Sequence, residues 1–466
     1  MNNRAAAIIK AVLLFFILLG STSETRSQDP TPTPTSKAEK NKAKSDQAAA
    51  TSAAAPAPDP SATPDQDPWR REVMTGNWGG DRDRWKEKGF EVEASFTGFV
   101  QGNVSGGLRR TSALNAAFKT TFKFDLGKLA GWKWWSAEIG TETRFGGPVL
   151  NSLGTINPTN TGAFIPAASG TVFTVGTVAV TRLIPLDLKK GNLIAISVGR
   201  YDILDLSDED FFGGGGIDRF WNIAQIGPLT VLRQVPLMTN LGSIAYIRHG
   251  EPFITFALLD PNDHSTDPGL KNLFADGVTF MPGINFGSKW WGKTGKHSFG
   301  VAVTTKKYTP FDALRQIIIP GPALGSIEPK GGSWSFNYTG RQYIVEREKR
   351  DGWGAFWQFS YADKDTSPVT AFFSGGLAGN GLFKSRRTDE FGLSYAYTGL
   401  SDVLKDGIDL VTQGGRRPRA EHQVEAFYNF HITPWLRLTG DIQFIRPTRA
   451  IADFAVVPGA RLEFVF

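Results

Sequence analysis

The chain closes with Gly459-Ala460-Arg461-Leu462-Glu463-Phe464-Val465-Phe466, and the reading of these residues decides the fold. Successive side chains of an extended strand point to opposite faces. Leu462, Phe464 and Phe466 therefore share one face, and Arg461, Glu463 and Val465 the other. A last strand in a soluble sandwich ordinarily runs on into a polar tail, because free ends fray. Here the chain stops on a bare aromatic. That ending suits a strand that turns its apolar row to lipid and closes a transmembrane barrel, where every backbone group is paired and no edge remains. Taken alone, the stretch also admits an edge strand of a soluble β-domain.

Working outward, the same alternation recurs. In residues 90–100, Phe90, Val92, Ala94 and Phe96 oppose Glu91, Glu93, Ser95 and Thr97. Phe118, Phe122 and Leu126 oppose Lys119, Lys123 and Asp125, while Trp353, Ala355, Trp357 and Phe359 oppose Gln358 and Ser360. Further strands are expected at 135–145, 171–185, 193–201, 229–237, 244–249, 253–259 and 278–287. Others follow at 298–308, 334–346, 369–375, 390–397, 423–432 and 436–445. Short links such as 433–435 alternate with long polar ones such as the Gly/Pro/Thr/Asn-rich stretch 146–170. This asymmetry predicts tight periplasmic turns and longer outer loops. The reading is all-β: a transmembrane, antiparallel, up-and-down β-barrel of about 16 strands, preceded by a short helix.

Composition fits such a barrel. The 466 residues include no Cys, so neither a disulfide framework nor a thiolate metal site is available. Phe (34) and Trp (13) are abundant, yet the mean hydropathy is −0.20. A bundle of membrane helices could not be that polar, whereas a barrel with a wet lumen can. The net charge of +6 is modest for the length and carries no nucleic-acid footprint.

Residues 1–27 read as a signal peptide, with Arg4 and Lys10 around an apolar run too short to span a bilayer. Residues 28–68 read as a disordered Pro/Ala/Lys-rich periplasmic linker, with too little apolar surface to offset its ordering entropy. Its Lys37, Lys40, Lys42 and Lys44 offer a contact to peptidoglycan; the alternative is a plain solvated spacer. Residues 69–466 form the barrel domain. Its lead-in, 69–89, holds the short helix: Gly79 and Gly80 turn the chain, Asp81 is placed to cap, Asp83 sits in the first turn, and Gly89 supplies a left-handed stop.

Three groups of residues carry a family resemblance. The first is Thr75-Gly76-Asn77-Trp78-Gly79-Gly80, the charged helix, Gly89, and Gly102-Asn103-Val104-Ser105-Gly106-Gly107. The second is Gly381-Leu382-Phe383 with Arg386, Asp389 and Gly392. The third is Glu421-His422-Gln423-Val424-Glu425 with Thr433-Pro434-Trp435-Leu436 and Asp441 to Pro447. Together they resemble the OprB-type carbohydrate-selective porins of Gram-negative outer membranes; residues 151–329 match only in general layout. The resemblance implies a sixteen-stranded outer-membrane barrel that passes mono- or oligosaccharides, as a trimer or as a monomer.

No catalytic, metal or cofactor site is expected. The five His are scattered, and no nucleophile motif occurs. Phe211-Phe212-Gly213-Gly214-Gly215-Gly216-Ile217-Asp218 lacks the Lys of a phosphate loop and reads as a loop tip or as a loop folded into the lumen. Trp132, Trp134, Trp135, Trp290, Trp291 and Trp435, near strand ends, suit interfacial girdles. The candidate sugar contacts are charges on the wet faces. Lys119 and Lys123 oppose Glu138, Glu142 and Arg144; Glu425 and Asn429 share a face with Arg437, Thr439, Asp441 and Gln443; Arg200 ends its strand with its facing open. Guanidinium forks and carboxylates bind vicinal hydroxyls bidentately, so such residues can build a constriction, with Arg144 and Glu142 at or near it. The competing reading makes them structural ion pairs of a polar wall. The expected function is passive, carbohydrate-selective diffusion across the outer membrane. The alternatives are a plugged or structural barrel, an adhesin or anchor without flux, and a soluble glycan-binding β-protein.

Overall fold

The computed structural model describes residues 69–466 apart from 148, 165–170, 207–208, 266, 314–327 and 413–415. The signal peptide and linker expected over 1–27 and 28–68 lie outside the described residues.

Period-two patterning produces the wall. The strands are β1 (Phe90–Asn103), β2 (Ser105–Gly107), β3 (Thr111–Asp125), β4 (Trp135–Phe145), β5 (Val172–Asp187) and β6 (Asn192–Asp202). They continue with β7 (Met238–Arg248), β8 (Glu251–Leu259), β9 (Thr279–Trp290), β10 (Lys293–Tyr308), β11 (Lys330–Glu348) and β12 (Asp351–Ala362). The last are β13 (Val369–Asn380), β14 (Glu390–Leu400), β15 (Glu421–Thr433), β16 (Leu436–Arg446) and β17 (Asp453–Val465). Apart from β2, each pairs antiparallel with the strands before and after it, β1 with β3, and β1 pairs with β17 over Ser95–Gln101, so the sheet closes into a ring. The three-residue β2 prolongs β1 along β17, which leaves sixteen staves. Among the described residues no helix is long and apolar enough to cross a membrane; the crossing elements are strands.

The apolar row faces outward as expected. On β8, Ile254, Phe256 and Leu258 are exposed while Thr255 and Ala257 on the other row are half-buried. The links alternate in length. Residues 249–250, 291–292, 349–350 and 434–435 make tight turns at one end, and 146–171, 203–237, 260–278 and 401–420 make long links at the other. Trp132, Trp134, Trp135, Trp290, Trp291 and Trp435 all lie at the short-turn end.

Two expectations are corrected. Residues 229–237 form no strand: Leu229–Val231 is a 3-10 turn inside the 203–237 link. Leu229 packs there with Ile223, Ile226, Val369 and Leu400, and a short apolar run reads the same whether it is a strand or a segment buried against a wall. Asp81 is not the cap but the first residue of helix α1 (Asp81–Lys88), where it pairs with Arg84. Gly80, at φ 92°, holds the capping position, and Gly89, at φ 96°, ends the helix as expected.

The lead-in segment seals the seam. Strand β17 ends opposite Ser95, so Phe90–Ala94 of β1 continue past it with a free edge. Arg82 donates to both Val92 O and Phe466 O at 3.1 Å, and the Met74 N–H donates to Val465 O at 2.6 Å. Arg82→Ala is expected to remove about 1–2 kcal/mol, since charged donors are worth more than neutral ones but Arg82 is partly solvated. A fall of several degrees in the temperature at which the barrel loses its compact mobility in detergent gels checks this.

The turn before β14 shows what its Arg386, Asp389 and Gly392 do. Asp389 receives both nitrogens of the Arg386 fork (2.9 and 2.8 Å), the Tyr428 hydroxyl (2.8 Å) and the His431 N–H (3.1 Å). Burial pushes this carboxyl up, but those hydrogen bonds outweigh it and hold it below the usual carboxylate range. Gly392 leaves room for the rings of Phe427 and Phe220, which a Cβ would strike.

Candidate functional site

The inner row of the barrel is of two kinds. On β3–β10 it is polar and half-exposed: Thr121, Lys123, Glu138, Thr181, Ser197, Ser243, Thr255, Asn285 and Ser298. On β12–β17 and the upper part of β1 it is buried and includes large apolar side chains: Phe356, Phe372, Phe427, Ile445, Val457 and Phe99. Apolar residues on a lumen row are stable only if something dry covers them.

The cover is the 203–237 link, helped by the 146–171 link. Phe211 packs on Tyr343 (centroids 4.7 Å apart), Phe212 on Phe356 (5.3 Å), and Phe220 on Phe427 (4.8 Å) and Phe356 (5.6 Å). Trp221 meets Phe99 edge-on at 5.5 Å. Val149 and Leu153 cover Ile445, Ala455 and Val457. Gly213, Gly215 and Gly216 of the glycine run are thus buried and Gly214 half-buried, with Gly216 at φ 79° and its backbone tight against Gly162. Of its two expected placements, the loop folded into the lumen is the one observed.

Polar anchors accompany this packing. Glu425, fully buried, accepts the N–H groups of Trp221 (2.5 Å) and Asn222 (3.2 Å). Asn222 donates to Gln443 (3.1 Å) and accepts from Gln423 (2.9 Å); Gln443 donates to Thr159 O (2.8 Å) and Asp441 (3.0 Å). Arg461 donates to the carbonyls of Gly216 (3.2 Å) and Arg219 (3.1 Å) and to Asn429 (2.9 Å). Arg437 lies 3.3 Å from Glu463 and 3.8 Å from Asp218. The candidates Glu425, Arg437, Asp441 and Gln443 are therefore brought together, 0–5% exposed, beneath the link. Arg200 shares its parity with the exposed Ile196 and Val198 and donates to the carbonyls of His264 and Asp267 in the 260–278 link.

The link also crosses the lumen. Asp205 pairs with Lys119 on β3 (2.7 Å), and Lys119 in turn lies 3.4 Å from Glu142, which pairs with Arg144. Four residues on, Glu209 pairs with Lys296 on β10 and Arg341 on β11, and Asp210 lies 3.1 Å from Arg341. Strands β3 and β10 stand on opposite sides of the ring. Asp205 on one side and Glu209 with Asp210 on the other are thus clasped by ion pairs to opposite walls, where the filled half of the lumen meets the polar half. Glu142 and Arg144 are nearly buried, whereas Lys119, Glu138 and Lys296 are half-exposed toward the polar half. Asp205, Glu209, Asp210, Lys296 and Arg341 were not among the residues expected from the sequence. The signal for them was the apolar parity of Phe356, Phe372 and Phe427, which demands a cover.

A closed barrel with a charged link drawn across a half-open polar lumen defines a channel of the outer-membrane porin class. Residues 109–466 match the carbohydrate-selective porin, OprB family, and the chain belongs to that family. It is a porin of the outer membrane with carbohydrate as its substrate class. It is 23% identical over 433 residues to Porin B of Pseudomonas aeruginosa, which covers 84% of this chain and 91% of that protein. Over 71 residues it is 34% identical to the putative porin QuiX of Acinetobacter baylyi, 15% of this chain and 16% of that one. The high-pH structure of Pseudomonas putida OprB superposes with a TM-score of 0.72 at 20% identity, covering 85% of this chain and 99% of that one, which places the fold.

Proposed function

We propose that neutral mono- and oligosaccharides diffuse passively through the half-lumen lined by β3–β10, and that Asp205, Glu209 and Asp210 with Lys119, Glu138 and Lys296 form its constriction. The observation that carries this is the double clasp. The acids of the crossing are matched by Lys119 on one wall and by Lys296 and Arg341 on the other, so the passage presents paired donors and acceptors with little net field for an ion. Such pairs exchange weak hydrogen bonds with successive hydroxyls, which permits flow; a tight site would stop it. Glu142 and Arg144 serve as the buried backing that orients Lys119. Glu425, Arg437, Asp441 and Gln443 serve as anchors of the inward links, and Arg200 as the anchor of the 260–278 link.

Lys119→Ala is expected to weaken the block of ion current by maltose about tenfold, the worth of one charged hydrogen bond. Arg144→Ala is expected to act in the same direction, because Glu142 loses its guanidinium partner and draws the Lys119 ammonium toward itself, away from the passage. Titration of maltose against single channels in planar bilayers measures both. Unchanged block in both variants removes the constriction from this place. The filled half-lumen favours a second reading, a plugged barrel, and a wild-type protein that passes no current would establish it.

A further inference from the structure

At the short-turn end, below the free edge of β1, the lead-in segment and α1 enclose a cavity of about 350 Å³, within the size range of small-ligand clefts, about 300–1,000 Å³. Its floor is aromatic. Trp78 and Trp85 stand at 77° with centroids 5.5 Å apart, 42% and 38% exposed, and Trp85 leans on Phe90 at 5.6 Å. Its rim is charged but balanced, with four cationic and four acidic side chains. Lys86 pairs with Glu91 at 2.9 Å, and the Arg82 guanidinium lies 4.8 Å from the Trp78 ring centroid. Of the β1 residues that line it, Phe90 and Val92 belong to the outer row and Glu91 and Glu93 to the lumen row, where Glu93 pairs with Lys123, so the cavity wraps the lower end of β1 and reaches the bottom of the polar half-lumen on its acidic side.

The backbone gives a second indication. Trp78 is held at φ 50°, a left-handed conformation that a bulky L-residue rarely adopts, between Gly76 (φ 61°) and Gly79 (φ 66°). Glycine would satisfy that turn without strain, yet an indole occupies it, and strain of this kind collects where a side chain is needed in one place.

We infer that this cavity is a second carbohydrate subsite, at the periplasmic mouth, which holds a pyranose ring as it leaves or enters the channel. An indole corner offers apolar faces to the C–H face of a sugar, and paired carboxylates and cations around it offer acceptors and donors to its hydroxyls. The charge balance favours a neutral polyol over an ion. This subsite rests on the carbohydrate reading above and extends it to residues far from the constriction.

The test is side-specific. Single channels of known orientation are titrated with maltose from one compartment at a time, in wild type, in Trp78→Ala and in Trp78→Ala/Trp85→Ala. The rate at which maltose enters from the periplasmic side is expected to fall about tenfold in the double variant and less in the single one. Entry from the outer side and the ion conductance are expected to stay at wild-type values. Should Trp85→Ala prevent folding, the exposed Trp78 decides alone, through Trp78→Ala against Trp78→Phe, which keeps a ring. An unaltered periplasmic entry rate in a variant of normal conductance overturns the subsite and leaves the carbohydrate reading standing. A wild-type channel that maltose blocks from neither side overturns both.

Discussion

Removing two of the polar anchors of the inward link, by Glu425→Ala with Arg461→Ala, is expected to raise single-channel conductance severalfold and to abolish block by sugar. Glu425 alone satisfies the N–H groups of Trp221 and Asn222, and Arg461 satisfies the carbonyls of Gly216 and Arg219. Each orphaned buried group costs about 1–3 kcal/mol, and the link can recover this only by moving toward water. The wall does not depend on it, because β14–β17 and β1 are laddered to one another through their backbones. The variant should therefore still migrate as a folded barrel in unheated gels. A folded variant with wild-type conductance would mean that the rings hold the link unaided and that Glu425 and Arg461 only line its bed.

The second large effect belongs to those rings. Phe220→Ala is expected to destabilise the barrel by about 3–5 kcal/mol, the usual cost of emptying a buried aromatic site. Phe220 is fully buried against Phe427 and Phe356, and Gly392 is bare beside it, so no neighbouring side chain can collapse into the space. Unfolding midpoints in detergent with urea measure the loss, and noisy conductance in bilayers would report the loosened link. A change under 1 kcal/mol would show that the ring packs far less tightly than its burial implies.

The predicted effects separate what is local from what is not. Alternation is a property of a few consecutive residues, so the strands, their facing and the closure by Phe464 and Val465 are visible in the chain itself. So is the pairing of Lys119 with Glu142 and Lys123 with Glu138 on one hairpin, because a short turn sets the register. Residues 229–237 failed for the converse reason. Their apolar spacing is that of a strand, but their partners Val369 and Leu400 lie more than a hundred positions away.

The same distance hid the residues of the proposed constriction. Asp205 and Glu209 sit in a stretch without periodicity, and nothing nearby in sequence announces that they meet Lys119 and Lys296. It also left open which role Glu425, Asp441 and Gln443 take, since a carboxylate or amide on a lumen row looks the same in water or beneath a loop. The sequence by itself determined a barrel and its outer face, because lipid and water sort every second residue, and its terminal motifs carried the family resemblance. Only the tertiary structure decided which half of the lumen is filled and which wall residues the inward link meets, because a loop's resting place is set by packing against strands the chain has yet to make.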